Sequence, residues 1–451
     1  MALDYFKSTG FRIKELVLIG KNGVQQDLTS FYSELNIFDS VLQPCLTGNI
    51  LIQDSAGLSD LFLFDGNDFL KLHIGKVDED ILDIKRVFRI YKQSDRTVTN
   101  QNTESYILHF ISEEYITSQI KKVTQYYSGT YTEMAKKVLR DYMKCPEVKI
   151  TDGQFDDSFG NRGHNFPGYF NPIECIMSLT KLAIDKEQRP CFLFYENIFG
   201  YNFASLTYLL KNPPVCNINF DPKNLNVSDE SRQFTGARYF KVIQQFDILT
   251  NIKNGVYSGK YIAMDKPTSS FIQINQDYNS INHPESLNNG PAVGNLRTID
   301  GDLLNSYTEA SITEGTTNLI SRSVPQIKEA SPGEFEITIN HEQILLQRKS
   351  ILTNLFSQRV KLVVPGNFAI SSGVNVYLHV PKYSEKVDGE NNLDRTLYGH
   401  YLIIAARHKL TPDNKHETIF EACTNGSNRS EKSNKMIGMS NYLSQDIQNY
   451  G

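Results

Sequence analysis

The chain has 451 residues, 40% of them hydrophobic, so it can bury large cores and is expected to divide into roughly two to four domains. Its 46 lysines and arginines against 51 aspartates and glutamates argue against a dedicated nucleic-acid binder, which needs a basic face. The six cysteines form no CxxC pair, which predicts reduced core residues and neither a zinc ribbon nor a disulfide framework. They are Cys45, Cys145, Cys175, Cys191, Cys216 and Cys423.

The amino terminus has no signal-peptide pattern, and no apolar run approaches the length of a membrane span. We therefore expect a soluble protein that is made in a cytoplasm and has no membrane partner. None of the nucleophile-elbow, zinc-protease, phosphate-loop or dinucleotide-binding motifs is present. The sequence accordingly predicts no enzymatic activity, no cofactor and no metal ion.

Residues 11–114 have a β pattern throughout. Leu70, Leu72 and Ile74 alternate with polar neighbours, which is the period of a half-buried strand. Six such segments predict a barrel or sandwich, the first domain, over residues 1–119. They read FRIKELVLI, SELNIFDS, TGNILIQDSAG, DFLKLHIGKV, KRVFRIYKQ and ESYILHFISEEY. An acidic run between two of them, Asp78, Glu79, Asp80 and Asp83, is interpreted as a solvated hairpin loop, with a metal site as the alternative.

Residues 120–236 predict an α+β insert. Thr130 to Glu133 spell a capping box, which predicts a short amphipathic helix to about Met143. A second helix is expected to begin at Asn171 and Pro172. The segments CFLFY and GYNFASLTYLL then predict a hairpin around residues 196–199.

The remaining chain divides into four predicted segments. Residues 237–274 are β-like, with a turn at Asn254 and Gly255, and residues 275–334, rich in Asn, Ser, Thr, Gly and Pro, are expected to form an extended arm. A helix is predicted near residues 340–357, and it leads the β segment that completes residues 335–425. The polar tail, residues 426–451, could not hold a core alone.

The β pattern is clearest over residues 360–425. VKLVV ends at the turn Pro365, Gly366, Asn367, and VNVYLHV alternates apolar and polar side chains after Gly373, where a tight bend is expected. We take Gly48, Pro365, Gly366, Asn367 and Gly373 as the residues whose turns define the fold. Nothing in this stretch has a catalytic pattern.

These strings carry a resemblance to a known family. PGNFAISSG, VNVYL, GHYLIIAARHKL and ETIFEACTN resemble the second tube-like barrel of the central baseplate hub protein of contractile-tailed phages. LQPCLTGNILIQDSAGL resembles its first barrel, and GHNFPGYFNPIECIM resembles its insert. The resemblance implies a β-rich α+β fold: two antiparallel tail-tube-like β-barrels, an α+β insert domain and extended loops.

The resemblance also implies a function. The hub forms a homotrimeric ring with quasi-sixfold symmetry, which adapts the hexameric tail tube to the trimeric central spike and forms part of the DNA channel. The expected partners are copies of the chain, the tube ring, the spike and neighbouring baseplate proteins, and DNA passes without specific binding. The expected location is the virion tail, after assembly in the host cytoplasm.

Two further expectations follow from charge and composition. We expect a neutral to acidic lumen, with Asp54, Asp65 and Asp68 among the available acids, because a basic lumen would hold the genome. We also expect residues 427–451 to dock on a neighbouring subunit or another baseplate protein.

Alternative functions remain open at the level of sequence. One is a hub or spike component of a type VI or other contractile injection system, and the other is a wall-binding or wall-degrading tail protein. His400, His408 and His416 recur every eight residues, which could indicate a metal site, although half-exposed strand histidines are the simpler interpretation. A glycosidase-like carboxylate pair at Glu113 and Glu114 is neither supported nor excluded.

Overall fold

The computed structural model describes residues 11–21, 23–62, 64–76, 84–100, 103–166, 168–220, 236–254, 256–265, 270–277, 281, 283–288, 290–291, 326–331, 334–338, 341–382 and 393–428. Over these residues the fold is α+β and rich in antiparallel β-sheet, as the sequence predicts. Within the same ranges, no helix is both long enough and apolar enough to cross a membrane.

The first β-rich block contains the six predicted strands. The last predicted strand extends too far, because the segment EEY begins a helix and does not continue the strand. The two glutamates lie in the first turn of that helix, where the helix dipole favours negative charge. The elements are β1 (Phe11–Ile19), β2 (Gln25–Asp27), β3 (Tyr32–Ser40), β4 (Thr47–Asp54), α1 (Leu58–Leu61), β5 (Phe69–Lys76), β6 (Ile84–Asn100), β7 (Thr103–Ser112) and α2 (Glu113–Gln119).

The insert has both predicted helices, and each begins with a capping box, at Thr130 and at Asn171. The predicted hairpin is also present, but its second strand ends at Ser205, whose hydroxyl caps a short helix where a strand was expected. The elements are β8 (Tyr126–Gly129), α3 (Tyr131–Asp141), two 3-10 turns (Glu147–Lys149 and Asp152–Gln154), β9 (Arg162–Asn165), α4 (Pro172–Leu182), β10 (Phe192–Asn197), β11 (Gly200–Ser205), α5 (Leu206–Lys211) and β12 (Pro214–Asn219).

The second β-rich block begins at β13 (Tyr239–Gln244). A helix, α6 (Ile248–Lys253), follows it where strand was expected, because the Asp247 carboxylate accepts a hydrogen bond from Thr250 N–H at 2.9 Å and caps the first turn. The other elements are β14 (Ser258–Asp265), β15 (Ser270–Asp277), β16 (Gly290–Pro291), β17 (Gln326–Ser331), β18 (Glu334–Thr338), α7 (His341–Leu355), β19 (Gln358–Pro365), β20 (Asn375–His379), β21 (Gly399–Leu410), β22 (His416–Thr424) and β23 (Gly426–Ser427).

The two β-rich blocks share one sheet. Its 13 strands include the path β13-β19-β22-β21-β3-β4-β7-β6-β5-β1-β2, with β20 and β12 branching from β21. The resemblance implies two antiparallel β-barrels, whereas among the described strands no ladder closes either block into a barrel. The reason is that β21 of the second block pairs with β3 of the first, from Ala405 opposite Ser40 to Leu410 opposite Leu35. We call this pairing the seam.

Most of the predicted arm, residues 275–334, lies outside the described residues, and so do most of the polar tail and the acidic run at residues 78–83. Within the described part, β17 pairs with β18, and β23 pairs with β16. The hairpin β14–β15 pairs only with itself among the described strands, so it does not extend the large sheet.

Alternate side chains of the sheet strands enter hydrophobic cores. The first block packs around residues such as Leu35, Ile50 and Phe110, and the second around residues such as Val360 and Phe420. The insert has a core of its own. All six cysteines are buried and free, which confirms their prediction as reduced core residues.

Candidate functional site: the polar face and the seam

On the side of the sheet opposite the cores of the two β-rich blocks, Leu402 and Cys423 pack into a further core. Beyond those residues this side is largely polar, and we call that part the polar face. Period-two alternation places its side chains outward along each strand while their neighbours are buried. It runs without a break across the seam, so both β-rich blocks contribute to it. Around the seam its charged and amide side chains include Lys241, Arg359, Lys361, Glu417, Glu421, Arg407, Lys409, Glu34, Asn36 and Asn49.

At the seam, the cations of the polar face are paired with one carboxylate. Arg407 donates from Nε to Asn36 Oδ1 at 2.9 Å and from Nη2 to Glu34 Oε1 at 3.0 Å. Lys409 Nζ lies 3.0 Å from Glu34 Oε2. Partial burial alone would raise the pKa of Glu34, but hydrogen bonds from Asn36 and Lys409 hold that pKa below its ordinary value. Glu34 is therefore ionised and neutralises part of the positive charge of the face.

The buried side of the seam holds a carboxyl group. Asp39 lies on β3, and it accepts hydrogen bonds from the Ser371 hydroxyl and, at 3.2 Å, from the Ser372 backbone N–H. Asp39 is 2% exposed, and burial raises its pKa to about 7 even though these hydrogen bonds oppose the rise. The loop before β20 is thus tied to the first block.

The insert meets the same loop. Asn197 Nδ2 donates to the carbonyl oxygen of Ser372 at 3.1 Å. Gly373 follows with a φ of 85°, and a Cβ there would lie 1.9 Å from the hydroxyl oxygen of Tyr195. Only glycine fits this position without strain. The loop therefore contacts the first block through Asp39 and the insert through Tyr195 and Asn197, so that three parts of the chain meet at one point.

His408 and His416 are buried side by side, which makes the prediction of half-exposed histidines wrong for these two. His408 Nδ1 lies 3.2 Å from His416 Nε2, and the ring of Phe368 packs 4.2 Å from the His416 ring centroid. Burial lowers the pKa of His408 to about 4, and burial together with repulsion from His408 lowers the pKa of His416 well below its ordinary value. Both rings are therefore neutral core groups at pH 7. His400 is half-buried elsewhere on β21, and in the described part of the chain no three potential ligands are placed to hold a metal ion.

Glu113 and Glu114 lie in two different ion pairs. Glu113 contacts the Arg89 guanidinium at 2.6 Å, whereas Glu114 contacts Lys149 Nζ at 2.8 Å. Lys149 also lies 3.2 Å from Glu196, and this second carboxylate accepts the Leu46 N–H at 2.9 Å. Opposite charges raise the pKa of Lys149 although burial acts to lower it. The arrangement is a buried tie between the insert and the first block, and it does not form a carboxylate pair across an open cleft.

The predicted turn residues lie at points of close approach. Gly48 lies within β4, where a Cβ would be 2.2 Å from Phe110 Cζ and 2.4 Å from the Asn36 carbonyl oxygen. At Gly366 a Cβ would be 1.9 Å from the His416 ring. Pro365 ends β19, and the Asn367 N–H donates to Thr418 Oγ1 at 3.0 Å. Sequence patterns gave no signal for Asp39, Lys149 or Glu34, because their partners are distant in the chain.

No protein-family model and no curated protein sequence matches the chain. Among solved structures, the 43 kDa tail protein of prophage MuSo2 from Shewanella oneidensis is similar, with 10% sequence identity, a TM-score of 0.51, and coverage of 90% of this chain and 97% of that chain. The chain shares the fold of a phage tail protein.

Two other solved structures are similar over comparable lengths. A tail protein from Neisseria meningitidis MC58 has 9% identity and a TM-score of 0.49, with coverage of 92% of this chain and 96% of that chain. A type VI secretion system component from E. coli has 7% identity and a TM-score of 0.39, with coverage of 94% and 77%.

Proposed function

We propose that the chain is the central hub of a contractile-tail baseplate. In this role three copies form a ring that joins the hexameric tail tube to the trimeric spike and encloses part of the DNA channel. The observation that carries the proposal is the single sheet that spans both β-rich blocks. The fold likeness to a prophage tail protein supports it.

The seam gives this proposal its physical basis. A ring of three chains can match a sixfold tube only if each chain holds two similar β units at a fixed angle. The seam fixes that angle through a six-residue ladder, and the hydrogen bonds that Asp39 accepts from Ser371 and Ser372 reinforce it from the buried side. Contacts between subunits then carry the function, and no catalytic group is required.

The polar face is the surface best suited to line the channel. DNA must slide along such a surface, and each unneutralised cation would gain free energy by releasing counterions from a phosphate. Glu34 pairs with Arg407 and Lys409, and Glu417 pairs with Arg238 at 2.9 Å. The face therefore combines both signs of charge, which is consistent with the neutral to acidic lumen expected from net charge. Asp54, Asp65 and Asp68 lie at a strand end and in loops, away from it.

The test is the assembly state of the purified full chain. We expect light scattering after size-exclusion chromatography to give the mass of three chains, and negative-stain images to show a ring with threefold symmetry. Mixing with the tube and spike proteins of the same tail should give complexes with both. A monomer that binds neither protein would overturn the proposal, and binding to isolated cell wall would favour the wall-binding alternative.

A further inference from the structure

One end of the 13-stranded sheet is apolar and exposed. β13 is the terminal strand, and among the described strands it pairs only with β19, so its other backbone edge has no strand partner there. Of the 16 exposed large apolar side chains in the described residues, five lie within residues 239–249. They are Tyr239 (48% exposed), Ile243 (36%), Phe246 (70%), Ile248 (42%) and Leu249 (71%). We call this surface the apolar end.

Such an edge attracts a further strand. Unpaired N–H and C=O groups beside apolar side chains are a template for pairing with another chain, and monomeric proteins cover or charge such edges. α6 places Leu249 beside the strand, and it leaves the apolar side chains at this end exposed. The apolar end therefore has the features of a surface to which a partner binds.

The charges indicate which partner. Lys241 stands in the centre of β13, directly opposite Lys361 of β19, and no carboxylate of the described residues pairs with it. Like charges directly opposite each other are unfavourable unless an anion lies nearby. At the other terminal strand of the sheet, β2, the exposed Asp27 has no cationic partner among the described residues, and exposed Val24 precedes it.

We propose that the apolar end binds the β2 end of a second copy of this chain. The two ends differ, so the contact is head-to-tail, and successive contacts close a ring when the rotation between copies is 120°. Lys241 of one copy then lies near Asp27 of the next, and Phe246 and Leu249 become buried. This assignment rests on the proposed trimeric function and names the surface that builds it.

The first test replaces apolar contacts with charge. We expect Phe246→Asp combined with Leu249→Asp to reduce the mass in solution to that of one chain, 51.4 kDa, with an unchanged circular dichroism spectrum. Val148→Asp is the matched control, because Val148 is 68% exposed on the insert, and it should leave the mass unchanged. If the double variant still has the mass of three chains, the proposed interface is wrong. Failure of the wild type to bind tube and spike, with self-association intact, would instead remove only the proposed hub role.

The second test maps the contact by cross-linking. Lys241→Cys and Gln25→Cys place thiols on β13 and β2, and the six native cysteines are buried. A short bismaleimide should link the two variants when they are mixed, and should not link Gln25→Cys with Val148→Cys. Linkage of Lys241→Cys to the tube or spike protein, and not to Gln25→Cys, would show that another partner occupies the apolar end.

Discussion

Asp39 and Ser371, 332 positions apart in the chain, share a buried hydrogen bond in which the serine hydroxyl donates to the carboxyl group. Burial raises the pKa of Asp39 from an ordinary value of 3.8 to about 7. Between these values the folded chain holds a proton that the unfolded chain has lost. The stability that this proton contributes is therefore present at low pH and is lost as pH rises from about 4 to about 7.

Asp39→Asn removes this pH dependence, because the amide stays neutral and can keep the hydrogen bond from Ser372. We expect the variant to gain stability relative to the wild type by ~2–4 kcal/mol between pH 4 and pH 8. Urea unfolding at both pH values measures it. Asp65→Asn is the control and should change in the opposite direction, because hydrogen bonds with Asn67 lower the pKa of the exposed Asp65. If the free energies of unfolding of the variant and the wild type differ by the same amount at both pH values, the role of Asp39 is contradicted.

The buried histidine pair predicts the reverse trend on the acid side. Burial depresses the pKa of both rings, to about 4 for His408. Below about pH 6.5 the unfolded chain therefore binds protons at these histidines, whereas the folded chain does not. The stability that the two neutral histidines contribute is fully present above pH 6.5 and is lost as the pH falls toward 4. His416→Phe can pack against Phe368, and it should lose less melting temperature between pH 7 and pH 5 than the wild type. If both proteins lose the same amount, another group is responsible for acid sensitivity.

Lys149 forms a buried tie with Glu114 and Glu196, and removing only the cation is expected to lower the free energy of unfolding strongly. Lys149→Met leaves Glu114 and Glu196 buried without a cation, which should destabilise the chain by ~3–5 kcal/mol. The triple variant that also carries Glu114→Gln and Glu196→Gln should regain most of this stability. For comparison, Arg140→Ala removes the exposed pair with Glu147 and should destabilise the chain far less, because solvent screens an exposed ion pair. Denaturant midpoints decide between these outcomes.

Gly48 offers a test of close packing at the centre of the sheet. A methyl group there meets the carbonyl oxygen of Asn36 at 2.4 Å, and a backbone atom within a ladder cannot easily move. We expect Gly48→Ala to destabilise the chain by ~1–3 kcal/mol. Gly153→Ala is the matched substitution, since no atom lies within 4 Å of its added Cβ. Thermal melts that place both variants at the same temperature would refute this account.

Local patterns revealed most elements but not the way they join. Period-two alternation was enough to predict the strands of the first block, and the capping residues Thr130 and Asn171 were enough to locate two helices. The end of β7 was missed because apolar residues alternate up to Ser112 and continue into the helix. The seam was missed because the pairing of β3 with β21 depends on a register between segments some 360 positions apart, for example in the hydrogen bond between Ser40 and Ile404. Asp39 and Lys149 carry no local signal for the same reason.

The polar face gives the last prediction, which concerns charge balance at the seam. Glu34→Gln keeps the shape of the side chain but removes the charge that neutralises Arg407 and Lys409. Each chain then presents one more positive charge on this face, or three more per ring of three.

We expect the variant to bind labelled duplex DNA at about 50 mM salt, where the wild type does not, and to release it at about 200 mM salt, because the gained free energy comes from counterion release. Fluorescence anisotropy measures both conditions. The control is Glu147→Gln, which frees Arg140 on the insert by the same change of charge; if it binds DNA equally well, net charge and not the polar face accounts for the effect.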